Sequence, residues 1–136
     1  MQGIVLTSHG EMAKGLQQTT TLFFGEQPQL TNRCLMPNDN PDEFSVVLEE
    51  AIKEVDSGDG VIVFCDMLFG SPCNCMARIV MPDIDNEKVQ VVCGMNLAMV
   101  LQMLATREAG NVNVQDLLDA GNQGIADLKA TLKANM

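Results

Sequence analysis

The chain has 136 residues, 46% of them apolar and 19% charged, and a formal net charge of −10. That length and balance fit one domain, residues 1–136, with a core of its own, and argue against a disordered chain. The acidity argues against nucleic acid and anionic membrane surfaces as partners, and no apolar run is long enough to span a bilayer.

The N-terminus, Met1 to Leu6, shows neither a basic leader nor a long apolar stretch, so a cytoplasmic protein is expected. The five cysteines (34, 65, 73, 75 and 93) are odd in number and partly set in apolar stretches. They read as reduced packing residues, and the spacing of Cys73 and Cys75 does not suit a common zinc site.

Ile4-Val5-Leu6 is a continuous apolar run, the signature of a strand buried on both faces. After His9-Gly10 the period changes. Met12, Leu16, Thr19 and Phe23 fall on one helical face, which Gly25 and Pro28 end. Thr31 to Met36 is a weaker strand, and Pro37 to Pro41 a loop. Asn40 is placed to cap the next helix with Pro41 at its first position. In that helix Phe44, Val47, Leu48, Ala51, Ile52 and Val55 repeat at three and four residues until Ser57-Gly58-Asp59-Gly60 stops it.

Val61 to Cys65 is a second continuous strand. Gly70-Ser71-Pro72 then reads as loop, cap and first helical position of a helix reaching about Val80. Val89 to Cys93 is the fourth strand. Leu97, Val100, Leu101 and Leu104 mark a helix, and Val114 to Leu118 begins another. Ile125, Leu128 and Leu132 suit either a helix or an edge strand. Strands alternating with helices predict an α/β fold with an open, mostly parallel sheet and helices on both faces. The order assumed is 2-1-3-4, with room for an antiparallel fifth edge strand from the C-terminal region.

In such sheets ligands bind beyond the carboxyl ends of the strands, where the strand order reverses. For this order that point lies between strands one and three. Strand one runs into Thr7-Ser8-His9-Gly10 and strand three into Asp66. The only histidine and a carboxylate are therefore expected side by side. A carboxylate on one ring nitrogen fixes the tautomer and leaves the other with its lone pair free, which a nucleophilic imidazole needs. Asp66 would also stabilise the cationic ring after attack. Gly70, Ser71 and the helix start behind them offer backbone donors to an anion. His9 and Asp66 are thus the candidate catalytic residues, and Ser71, Gly70, Gly10 and Ser8 the candidate phosphoryl-binding ones. The loop Gly94-Met95-Asn96 is a possible second wall of the cleft. No cofactor or metal is expected: the phosphate-loop, dinucleotide and nucleophile-elbow motifs are missing, and His9 has no second ligand near it.

Thr7-Ser8-His9-Gly10 together with Asp66-Met67-Leu68-Phe69-Gly70-Ser71-Pro72-Cys73-Asn74 resembles the enzyme IIA component of the mannose/fructose/sorbose family of the bacterial sugar phosphotransferase system. The resemblance extends over nearly the whole chain, to about Leu128. It implies a phosphocarrier, a transferase acting through a phosphohistidine. His9 would accept a phosphoryl group from HPr on Nε2 and donate it to an enzyme IIB, which phosphorylates sugar entering through a membrane permease. Asp66 would orient the ring, and Ser71 with nearby amides would hold the phosphoryl oxygens. The resemblance also implies a homodimer, in some members with an exchanged C-terminal strand. Family members often carry Gly-Gly before Ser-Pro, where this chain has Phe69-Gly70. The chain is expected to be a free-standing IIA subunit. Two alternatives remain at this point: the phosphotransfer subunit of a dihydroxyacetone kinase system, and a receiver-like module phosphorylated on Asp66.

Overall fold

The computed structural model describes residues 1–136. Four parallel strands, β1 (Gly3–His9), β2 (Leu30–Leu35), β3 (Val61–Cys65) and β4 (Val89–Cys93), form one sheet in the order β2-β1-β3-β4. The expected architecture and strand order are both present. Six helices connect and cover the strands: α1 (Met12–Phe24), α2 (Pro41–Val55), α3 (Ser71–Val80), α4 (Leu97–Thr106), α5 (Val114–Gln123) and α6 (Leu128–Ala134). No helix is long and apolar enough to cross a membrane.

Successive strand residues point to opposite faces, so each continuous apolar strand feeds two cores. Ile4, Leu6, Ile62 and Phe64 pack with Ala13, Val100, Met103 and Leu117 on the side of α1, α4 and α5. Val5, Val61, Val63 and Cys65 pack with Phe44, Leu48, Ala51 and Met76 on the side of α2 and α3. Burying side chains of this size contributes about 1.5–3 kcal/mol each. Exposing one face by a one-residue slip would forfeit many such terms at once, which fixes the register.

The helix starts follow the expected chemistry. Asn40 Oδ1 accepts from the Asp42 N–H at 2.8 Å, with Pro41 in the first turn of α2. In α3 the boundary lies one residue earlier than expected: Gly70 occupies the cap position, and Ser71 and Pro72 are already helical.

Two expectations change. The face of α1 that meets the sheet is carried by Ala13 and Thr20, while Met12 and Phe23 stay 52% and 58% exposed. Small side chains let the helix approach the strands; of the expected stripe Leu16 still packs against the core, while Met12 and Phe23 turn outward. The C-terminal region is the helix α6, capped by Asp127, and not a fifth strand. Leu128 and Leu132 are exposed along it, as is Ile125 in the loop before it, and β4 remains an edge of the sheet.

At the amino ends of the strands Arg107, only 1% exposed, fastens the sheet. Its guanidinium donates to the carbonyls of Gln2 and Gln29 at 3.2 Å and of Pro28 at 2.7 Å. Beside it the Gln2 side chain accepts from the Val112 N–H at 2.7 Å.

Candidate functional site

The register places Thr7 opposite Cys65. One residue further, the Asp66 N–H donates to the Thr7 carbonyl at 3.1 Å, so Asp66 leaves β3 alongside the end of β1. Strand alternation then separates the two residues that follow Thr7. Ser8 continues the series Ile4–Leu6 toward α1, and His9 continues Val5–Thr7 toward α3.

His9 and Asp66 meet as expected. Asp66 Oδ2 accepts from the His9 backbone N–H at 2.9 Å and lies 2.8 Å from His9 Nδ1. The Asp66 side chain is 10% exposed, whereas the imidazole is 47% exposed. Its other oxygen, Oδ1, is buried without a hydrogen-bond partner. A carboxylate so poorly solvated interacts strongly with the two His9 donors it has. Donation from Nδ1–H to Asp66 leaves Nε2 as the unprotonated nitrogen of the neutral ring.

Gly70 lies against the other side of the imidazole. A Cβ on Gly70 would stand 2.6 Å from His9 Cε1 and 3.3 Å from Nε2. The backbone of Gly70 (φ −73°, ψ 170°) is one any residue adopts, so this position is glycine for space and not for conformation. Directly after it, α3 begins with no side-chain cap. Pro72 has no N–H, and the first helical bond runs from Asn74 to the Gly70 carbonyl at 2.9 Å. The N–H groups of Ser71 and Cys73 are therefore orphan donors at the positive end of a helix dipole. Ser71 is half-buried at this start. Gly10 turns the chain out of β1 at φ +58° and donates its N–H to the Leu35 carbonyl at 2.8 Å.

Two expected contributors point elsewhere. Ser8 is fully buried; its hydroxyl accepts from the Ala13 N–H at 2.8 Å and donates to the Gly10 carbonyl at 3.0 Å. Its side chain is committed to the start of α1, because strand alternation turns it away from His9. In the Gly94–Asn96 loop, Met95 is buried and Asn96 caps α4 while donating to the Gly121 carbonyl.

Sequence patterning did not single out the thiols beneath the site. Cys73 and Cys93 approach to 3.4 Å between sulfurs. Burial, together with the neighbouring Cys73, pushes the Cys93 thiol up to about 11. Burial raises Cys65 further. All five cysteines are free, and burial keeps the Cys65 and Cys93 thiols protonated at neutral pH.

A depression of about 710 Å³ lies away from His9 and is lined by residues including Gln2, Asp59, Glu87, Lys88 and Val112. It contains no arranged nucleophile.

Residues 3–120 match the family model EIIA-man, described as the PTS system fructose IIA component. The mannose-specific EIIAB component of Escherichia coli K12 is 28% identical over 130 residues, 93% of this chain. The chain spans only 39% of the length of that relative. The fructose-specific EIIA component of Bacillus subtilis is 23% identical, with 88% of this chain and 78% of that protein aligned. Among solved structures, the PTS IIA protein associated with the fucose utilization operon of Streptococcus pneumoniae superposes with a TM-score of 0.87 at 26% identity, covering 96% of each chain. The mannose/sorbose-specific IIA subunit from Enterococcus faecalis gives 0.77 at 26% identity, covering 93% of each. Agreement of family model, curated relatives and fold shows that the chain belongs to the EIIA-man family of sugar phosphotransferase system IIA components.

Proposed function

We propose that the chain is a cytoplasmic phosphocarrier that accepts a phosphoryl group from phosphorylated HPr on Nε2 of His9 and passes it to an enzyme IIB. The observation that carries this reading is the half-exposed imidazole held through Nδ1, 2.8 Å from Asp66, with its far nitrogen turned to an open rim.

The chemistry follows from that geometry. The Nε2 lone pair attacks phosphorus in line as the bond from phosphorus to the donor's histidine nitrogen breaks. Phosphorylation at Nε2 with Nδ1–H retained makes the ring cationic, and Asp66 stabilises that charge. The orphan amides of Ser71 and Cys73, with the Ser71 hydroxyl, offer hydrogen bonds to the phosphoryl oxygens, and Gly70 and Gly10 leave room for them. Transfer to enzyme IIB is the same step in reverse with a second protein. The chain works as a homodimer and delivers phosphoryl groups toward a membrane permease without entering the membrane.

Phosphorylation of Asp66 itself is disfavoured by its environment: Oδ2 already serves two His9 donors, and the side chain is 10% exposed.

The test is incubation with radiolabelled phosphorylated HPr. The native chain is expected to take up label that acid removes and alkali does not, and His9→Ala to take up none while keeping its circular dichroism spectrum. Label on His9→Ala, or alkali-labile label on the native chain, would exclude the mechanism.

A further inference from the structure

Between Asp66, which holds the imidazole, and Gly70, which touches it, stand three large apolar residues in succession. Met67, Leu68 and Phe69 are 60%, 57% and 76% exposed. They form a tight turn closed by the Gly70 N–H on the Met67 carbonyl at 3.2 Å. Phe69 occupies its third position with φ +62°, in the left-handed region. An L residue with a bulky side chain is disfavoured there, and glycine or asparagine is the usual occupant. The conformation is nonetheless tied down, because Asn74 Nδ2 donates to the Phe69 carbonyl at 3.2 Å.

Within the isolated chain the ring repays nothing. It is largely in water, and its backbone is strained. Backbone strain and exposed aromatic area are unfavourable by themselves and collect at functional sites, where a partner supplies the compensating contact. The position of the ring says where that partner sits. A phosphoryl group shared between Nε2 and another protein's side chain brings the two backbones within two side-chain lengths. Gly70 already lies against Nε2. The preceding residue is therefore under the partner whenever transfer occurs.

We infer that Phe69 is a specificity-determining residue that inserts into an apolar socket on the phosphoryl-acceptor protein, an enzyme IIB, beside its phosphoryl-accepting side chain. This rests on the phosphocarrier reading above. The acceptor is favoured over the donor by the relatives. They are similar in sequence over most of this chain, yet are named for mannose, fructose and sorbose. A carrier that meets only proteins meets the sugar-dependent one on the acceptor side, so a feature that discriminates between systems belongs there.

The experiment compares native chain, Phe69→Ala and Phe69→Leu in three assays. Phosphoramidate supplies phosphoryl to His9 with no protein partner. Phosphorylated HPr supplies it as a donor protein of varied concentration. Each mannose/fructose/sorbose-type enzyme IIB of the same organism, purified and tested separately, then receives it. Phe69→Ala is expected to raise KM for the cognate IIB about ten- to a hundredfold, the scale of one lost aromatic anchor, with kcat nearly unchanged. The rate with phosphoramidate should stay at the native value, KM for HPr should change by less than about threefold, and Phe69→Leu should recover most of the loss. An unchanged KM for every IIB overturns the inference, and so does an equal rise for HPr and IIB, which would make the ring a general contact. Failure of the native chain to label on His9 in any assay is a different result: it removes the phosphocarrier reading, and this inference with it.

Discussion

Asp66 grips His9 twice with one oxygen: Oδ2 takes the backbone N–H at 2.9 Å and faces Nδ1 at 2.8 Å. The main-chain bond fixes where the carboxylate stands, and the ring bond fixes which tautomer results. Position and tautomer of the imidazole are thus set by a single atom.

Asp66→Asn keeps the shape and removes the charge. The amide is free to present its NH₂ to Nδ1, which stabilises the wrong tautomer and leaves Nε2 protonated. Transfer from HPr is expected to slow about 10²- to 10⁴-fold. Nitrogen-15 NMR of the ring should show the tautomer change. A variant with native tautomer and native rate would mean that Asp66 does not control the nucleophile.

Gly70→Ala introduces a methyl 2.6 Å from His9 Cε1. The backbone accepts alanine without strain, so stability should change by less than about 1 kcal/mol. The imidazole, however, must tilt away from the α3 amides. A misplacement approaching 1 Å lowers transfer on the order of 10²-fold. Urea melts and phosphotransfer rates measured on the same preparation separate the two effects.

Phe69→Gly acts in the opposite sense on stability. Relief of the left-handed backbone is worth about 1–2 kcal/mol and the added freedom of the unfolded chain removes about 0.4–1. Little buried area is lost from a side chain 76% exposed. A net gain of about 0.5–1 kcal/mol is expected from urea denaturation. A loss of stability would show that the ring packs within the chain after all.

The thiols set an alkaline limit. In the folded chain burial, then Cys73, hold the Cys93 thiol up at about 11 against an ordinary 9.0. The unfolded chain therefore releases this proton first. The contribution to stability is complete below pH 9 and is lost as pH rises from 9 toward 11. Cys65, also raised by burial, acts in the same direction. The thermal midpoint should fall across that window, and less steeply in Cys93→Ser; equal slopes in the two proteins would count against it.

Much of this was legible in the sequence, for identifiable reasons. Continuous runs such as Val61–Cys65 could only be strands covered on both sides, and the 2-1-3-4 order then brought His9 to Asp66 before any coordinates. What the sequence concealed depends on phase and on contacts between distant segments. Which side of α1 faces inward turned on Ala13 and Thr20, which a search for large apolar residues passes over. Ser8 and His9 are neighbours in the chain yet diverge because a strand alternates. The C-terminal segment has no distinguishing period over so short a length, and its Asp127 cap is evident only in the structure. The approach of Cys73 to Cys93 joins residues from a helix and a strand, and no local pattern reports it.

Arg107 closes the amino ends of β1 and β2 through three main-chain carbonyls, with one longer contact to the Gln27 side chain at 3.4 Å. Sheet alignment is thereby anchored at the pole remote from the imidazole, by a cation whose three main-chain acceptors do not depend on the side chains they carry. The Met67–Phe69 turn, by contrast, is bonded only within its own loop and to Asn74, and ties no strand to another. Substitutions such as a phenylalanine at position 69 can accumulate there and redirect the choice of partner while the scaffold stays put.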